Sequence, residues 1–233
     1  APPFFTKYFC NVEKSDKIKK FTVLGVLFLL PITVYLFFAS GVNNFGKLPI
    51  LTENVSDIKN FTSLEGPSVQ LENHITVLGF FGKDVESKKA NAFNLAHKIY
   101  KKYYQFQDFQ FIIVIDENQK EEALQLKEKL KEIEDPKNWK FVFASEDEVQ
   151  EVFHSLKSNY SLDKNMSSPY VFIIDHDNNL RGRDEDKDED EGVLFGFDAR
   201  DYSEINNKMD DDIKVIIAEY RLALKKYNSN REI

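Results

Sequence analysis

Cysteine is nearly absent from this sequence. Cys10 is the single one in 233 residues and precedes the long apolar run, so no intrachain disulfide can form and cysteine usage does not mark a redox compartment. Positive charge is in deficit as well: 31 Lys and Arg against 39 Asp and Glu leave a formal net charge of -8. Phosphate binding needs a basic face, so a nucleic-acid partner is excluded. No G-x-S-x-G elbow, P-loop or H-E-x-x-H stands in the sequence. The four histidines, His74, His97, His154 and His176, form no pair at helical spacing. A metal site needs several convergent ligands, so each is read as a surface or packing residue.

What is present begins with an anchor. Phe21 to Ala39 carries no charge, and at about 1.5 Å per residue such a run spans the roughly 30 Å hydrocarbon core. A cleaved signal peptide has a shorter apolar region, about 7 to 15 residues; Ala39-Ser40-Gly41 would pass as its cleavage site, but the length of the run favours an uncleaved span. Pro31 lies mid-segment, where membrane helices tolerate it. Lys7, Lys14, Lys17, Lys19 and Lys20 precede the span and only Lys47 follows closely, which predicts a cytoplasmic N-terminus. The main domain is then expected in a periplasm or a mitochondrial intermembrane space, and Cys10 is a reduced cytoplasmic thiol. The expected organisation is a cytoplasmic tail over 1–20, a transmembrane helix over 21–40, a tether over 41–73, one domain over 74–228 and a C-terminal tail over 229–233.

Beyond the tether, strand and helix signals alternate. ITVLGFFG (75–82), FQFIIVID (109–116), WKFVFA (139–144), YVFIID (170–175) and VLFGFD (193–198) read as strands. The second is continuous enough to be buried on both faces. Residues 86–104, 120–134 and 209–226 repeat apolar residues at helical spacing, and Ser145 is the expected N-cap of another helix. The order βαβαβα, then ββα, predicts a thioredoxin-like mixed sheet flanked by helices, its last two strands an antiparallel hairpin. Ser168-Pro169 stands where that fold carries a cis-proline, so a cis bond is expected at Pro169.

In this order, behind this anchor, the chain resembles the Sco/SenC family of copper chaperones for cytochrome oxidase. The likeness runs over most of Leu48 to Lys226 and is carried by LGFFGKDVES, WKFVFASEDEV, FIIDHDNNLRGR and the closing amphipathic helix. It implies a single-span, thioredoxin-fold protein facing the periplasm or intermembrane space. By the same matching, the family's two cysteines fall at Asp84 and Lys88, and its copper-ligand histidine at Ser167. Copper(I) favours soft thiolates and thiol exchange needs a thiolate. The family's activity is therefore not expected here: no cofactor, no metal ligand and no catalytic residue is assigned, and the chain is read as a non-enzyme. The expected role is an accessory or assembly subunit of cytochrome oxidase or a neighbouring respiratory complex. The alternative is an anchored recognition module for another envelope protein. In either reading the partners are the membrane and membrane proteins, with no small-molecule substrate.

Three features remain. The acidic run Asp184 to Glu191 lacks the spaced ligands of a preformed Ca²⁺ loop and is expected to be solvated and mobile, its repulsion partly offset by Arg181 and Arg183. Asp84 and Glu86, at the would-be active loop, are expected to cap or complement a helix N-terminus. Asn54, Asn60, Asn159 and Asn165 each open an N-x-S/T triplet, a pattern that matters only where the modifying machinery exists.

Overall fold

The structure, a computed structural model, describes residues 4–40, 46–66, 68–189 and 191–229, with side chains over 19–37, 46–66, 68–189 and 191–225. The chain divides into two compact units, Ala1–Phe45 and Gly46–Ile233.

The first unit is one helix, α1 (Phe4–Ser40). Sequence reading started it at Phe21; it runs on to Phe4 because no proline or glycine interrupts residues 4 to 24. Within it Lys19–Phe37 is long and apolar enough to cross a membrane. Its apolar side chains are exposed, Phe21 and Phe37 at 72% and 73%. Pro31 removes one helix donor, and nearby the Thr33 hydroxyl donates to the Leu30 carbonyl at 2.9 Å. The expectations for Cys10, Lys7, Lys14 and Lys17 fall on side chains outside the described residues.

In the second unit the strands are β1 (Ile50–Thr52), β2 (Thr62–Ser63), β3 (Ile75–Gly82), β4 (Phe109–Ile115), β5 (Trp139–Phe143), β6 (Tyr170–Ile174), β7 (Leu180–Arg181) and β8 (Phe197–Asp198). They form one sheet in the order β1-β7-β6-β3-β4-β5-β2, with β8 also on β6. β3, β4 and β5 are parallel, and β6 is antiparallel to β3. Helix α2 (Lys89–Leu95) continues through a wider π turn (Ala96–Tyr100) to Tyr103. α3 (Lys120–Leu130) follows β4, and α4 (Glu146–Ser155) follows β5. The last helix opens at Tyr202, widens over Ile205–Met209 and continues as α5 (Asp210–Ser229). Right-handed crossovers between successive parallel strands put α2 and α3 on one face. There they join α5 over Phe109, Phe111, Ile113 and Trp139. The other face packs Leu78, Phe80, Ile112 and Val114 against α4 and the chain preceding β3. Every residue of β3 and β4 is buried, which explains their unbroken apolar runs. Strand order, strand directions and helix placement are those of a thioredoxin-like fold.

Ser145 caps α4 as expected, in a reciprocal capping box with Glu148. Three other expectations are corrected. Residues 46–66 and 68–73 are not a tether but part of the domain; 41–45 lie outside the described residues. Val55, Ile58, Phe61, Val69 and Leu71 are buried from this stretch, and its strands close both edges of the sheet. One carboxylate oxygen of Asp57 accepts from the Ile58 and Leu71 amides, at 2.7 and 2.8 Å, and holds the segment against itself.

Second, the hairpin partner of β6 is not a continuous VLFGFD strand. It is split into β7, pairing at Ile173 and Ile174, and β8, pairing at Tyr170 and Val171. Residues 182–196 leave the sheet between the halves, and an Arg183–Leu194 bridge closes the neck. A Cβ on Gly182 would lie 2.3 Å from the Leu194 carbonyl oxygen, so only glycine fits there. The excursion carries the acidic run, which is docked on α5 and its approach instead of being wholly solvated. Asp186 is buried, with Lys208 Nζ at 2.7 Å and Arg183 at 3.7 Å. Lys208 also reaches Asp188 at 2.8 Å, and Arg183 reaches Asp212 at 2.9 Å. Burial pushes the Asp186 carboxyl up, but Lys208 and the Asp188 amide outweigh it and hold it below the usual range. Asp190 lies outside the described residues.

Third, no described peptide bond is cis, so Ser168-Pro169 is trans. The Ser168 amide donates to the Phe80 carbonyl at 2.8 Å and the Pro169 carbonyl accepts from the Ala199 amide at 2.9 Å. These bonds are made by an extended chain running straight into β6.

Arg181, expected to offset the acidic run, is paired outside it. Its buried guanidinium donates to the Leu48 carbonyl (2.9 Å), Asp175 (3.1 Å) and Glu219 (2.8 Å), and Glu219 in turn accepts from the Leu48 amide at 2.9 Å. Removing one partner of a buried ionic set leaves charges without compensation. Arg181→Met is expected to lose about 3–5 kcal/mol of unfolding free energy in urea titration. A loss below about 1 kcal/mol, the size of a surface pair, would show the clamp to be dispensable.

Candidate functional site

The site is built by two loops at the C-terminal end of β3. The first, Lys83 to Lys88, leads into α2; the second, Leu156 to Pro169, leads into β6. They touch through backbone: the Lys83 amide donates to the Asn165 carbonyl at 2.8 Å. Gly82 has φ +55°, and a Cβ there would sit 2.0 Å from the Asn165 oxygen, so glycine is required for the loops to meet. Met166 adopts φ 56°, which a long side chain rarely does.

Asp163 holds the second loop. Its Oδ1 accepts from the Asn165 amide (2.8 Å) and the Ser167 amide (2.9 Å), and its Oδ2 accepts from the Ser167 hydroxyl at 3.0 Å. Burial pushes its carboxyl up, but the Ser167 amide and hydroxyl, the Asn165 amide and the charge of Lys88 together hold it below the usual range. Asp198, on β8, is likewise raised by burial and lowered further by Arg200 and by Lys88. The ammonium of Lys88 therefore acts on both carboxylates across the loop pair.

Of the three positions singled out by the family resemblance, the structure brings two together. Ser167 is buried with its hydroxyl committed to Asp163, and Lys88 is half-buried within electrostatic reach of the same carboxylate. Asp84 bonds within its own turn: its carboxylate accepts from the Ser87 amide at 3.2 Å, and its carbonyl from the Ser87 hydroxyl at 3.1 Å. It closes the turn before α2 and does not cap the helix, whose N-cap position is Lys88 with no side-chain cap bond, and Glu86 pairs with Lys89 at 2.8 Å. Sequence reasoning missed Asp163; the spacing D-K-N-M-S, an aspartate four residues before a serine in a loop, carried the signal.

The donor set does not fit copper. At the positions of the family's ligands a carboxylate, an ammonium and a committed hydroxyl offer hard or cationic groups where copper(I) favours thiolate sulfur, and the one thioether of the second loop, Met166, has Gln150 Nε2 at 3.9 Å from its sulfur. Among the described residues no group of three or more His, Cys, Asp and Glu side chains converges on a metal position. The four histidines stay apart: His74 bonds the Glu72 carbonyl at 2.9 Å, His176 lies tilted against the Tyr220 ring, and His97 and His154 lie on separate helices. His154 and Asp163 do share a cavity of about 230 Å³ between α4 and the second loop. Both oxygens of Asp163 are turned to Ser167 and Asn165, so this is not an acid–base pair.

No family model matches this chain, and no curated protein matches it. Among solved structures it is similar to BsSco, a member of the Sco family of cytochrome c oxidase assembly proteins, at 14% identity over 72% of this chain and 94% of that one, with a TM-score of 0.47. Bradyrhizobium japonicum ScoI with copper bound is similar at 13% identity over 69% and 98%, with a TM-score of 0.42. The thioredoxin domain of a thiol-disulfide oxidoreductase from Bacteroides vulgatus is similar at 14% over 67% and 94%, with a TM-score of 0.40. The strand topology carries the fold assignment.

A depressed carboxyl stabilises the fold above its unfolded pKa, and that contribution disappears as pH falls through the folded value. Asp163→Asn is therefore expected to be less stable than the natural chain near neutral pH. The gap should close below about pH 4, the unfolded aspartate value. Urea midpoints across that window test it, and a gap that persists in acid would contradict the electrostatic role of Asp163.

Proposed function

We propose that this chain is a membrane-anchored, Sco-like protein without copper or thiol chemistry of its own, serving as an accessory or assembly subunit of cytochrome oxidase or a neighbouring respiratory complex. The observation that carries the reading is the chemistry of the loop pair. At the end of β3 Ser167 is bonded to Asp163, and Asp84 and Lys88 stand on the facing loop, where a thiol or copper mechanism would need thiolates. The respiratory assignment rests on the ordered sequence resemblance, and the anchor on the apolar stretch Lys19–Phe37. A protein of this kind acts through its surface. The loops at the C-terminal end of β3 expose Lys83, Glu86, Ser87 and Lys164, and these are available to a partner.

Extraction of native membranes in mild detergent, followed by mass spectrometry of what travels with the chain, tests the reading. Respiratory subunits in near-stoichiometric amount are expected. Envelope proteins unrelated to respiration, at the same stoichiometry, would replace this reading with that of an anchored recognition module.

A further inference from the structure

The chain has two methionines, in very different surroundings. Met209 is fully buried in the core on the α5 face of the sheet. Met166 is half-buried in the turn that Asp163 closes, its amide donating to the Asp163 carbonyl at 3.0 Å. Its side chain forms part of the wall of two cavities. One is the cavity of about 230 Å³ shared with His154 and Asp163, whose lining residues Gln150, His154 and Ser161 are exposed. The other, beside Gly82, Asp116 and Val149, is about 20 Å³, room for about one water molecule. Small polar solutes can therefore approach the thioether.

The contact on the sulfur has its own chemistry. Gln150 Nε2 donates towards Met166 Sδ at 3.9 Å. A thioether is a weak acceptor, so this amide is poorly used. An oxygen carried by the sulfur on the side facing the amide falls within ordinary N–H···O range, about 2.7–3.2 Å. Oxidation of a methionine disrupts a core because it makes an apolar side chain polar. At Met166 the new polar group meets a donor and the cavity instead of a dry interior.

We infer that Met166 is an oxidation site of this chain, where a peroxide converts the thioether to a sulfoxide with the domain still folded and the new oxygen accepts a hydrogen bond from the Gln150 amide. The sulfur lone pair takes one peroxide oxygen; the S–O bond forms, the O–O bond breaks, and the second oxygen leaves as water with both protons. Sulfur is oxidised and the peroxide reduced. The product makes the cavity wall beside exposed Lys164 polar, so exposure to peroxide changes the face that the second loop presents. This inference does not depend on the respiratory reading.

The test uses the full chain in detergent micelles with Cys10→Ser, which removes the thiol, and methyl-13C methionine, so that Met166 and Met209 give one resonance each. Hydrogen peroxide is the probe. The Met166 resonance should move to the sulfoxide position at least about ten-fold faster than that of Met209. Mass spectrometry should place one added oxygen on the peptide holding Met166, and Met209 should keep its folded resonance. Urea titration followed by fluorescence of Trp139, the single tryptophan, then compares oxidised chains. Oxidation should lower the folded-to-unfolded ratio roughly five-fold more in Gln150→Leu than with Gln150 in place, the worth of one hydrogen bond. Met166→Leu should lose the response to peroxide. Equal rates at the two methionines, or a Met209 resonance that leaves its folded position as Met166 oxidises, would overturn the site. Equal losses with and without Gln150 would overturn its hold on the oxygen.

Discussion

A single buried guanidinium organises one end of the domain. Arg181 binds the Leu48 carbonyl, the Asp175 carboxylate in the turn after β6, and Glu219 on α5. These groups come from the start, middle and end of the unit. Burying a guanidinium costs several kcal/mol unless its donors are satisfied, and here the planar fork is matched on three sides. Two carboxylates around one cation leave an excess negative charge, part of which the Leu48 amide meets by donating to Glu219. With that end fixed, β1 lies on β7 and closes the edge of the sheet. The loop pair stands at the C-terminal end of β3, past Gly82. The register sets Ile50 opposite Arg181, Arg181 opposite Ile173 and Ile173 opposite Val77, so the arriving chain is level with a point five residues, about 17 Å, from Gly82.

A second ionic set secures the insertion. The strand facing β6 is interrupted so that fifteen residues, 182–196, leave the sheet and return. Arg183 and Lys208 hold them down through Asp186, Asp188 and Asp212. Burial pushes the Asp212 carboxyl up and Arg183 pulls it back only in part. Asp186, with a lysine and an arginine close by, is lowered. A run of like charges is compatible with a docked segment because cations outside the run reach its buried member.

Local signals made much of the fold legible. The Ser145 capping box, the apolar runs of β3 and β4 and the repeats of α2, α3 and α5 each follow from chemistry within a few residues. What escaped depends on distance along the chain. Val55, Ile58, Phe61, Val69 and Leu71 follow neither a helical nor an alternating period, so the segment before β3 carried no sign that it was core. β7 and β8 have two residues each and no period at all. Arg181 sits two positions from Arg183, and both reach α5 but two turns apart, a fact written in Glu219 and Asp212 far along the sequence. At the site, the positions lacking sulfur were legible in the residues themselves. The grip of Asp163 on Ser167, and the reach of Lys88 to it, needed the fold.

The loop pair stands at the C-terminal end of β3, the central parallel strand of a thioredoxin-like sheet, with Pro169 trans. Two of its polar groups are spent locally: the Ser167 hydroxyl on Asp163, and Asp84 on its own turn. The account therefore turns on whether this cluster can take a soft metal. The deciding measurement is copper(I) titration against a chromophoric chelator, comparing the natural full chain with the combined variant Asp84→Cys, Lys88→Cys, Ser167→His. The account predicts no stoichiometric copper on the natural chain and stoichiometric copper on the variant; equal, tight binding by both would contradict it.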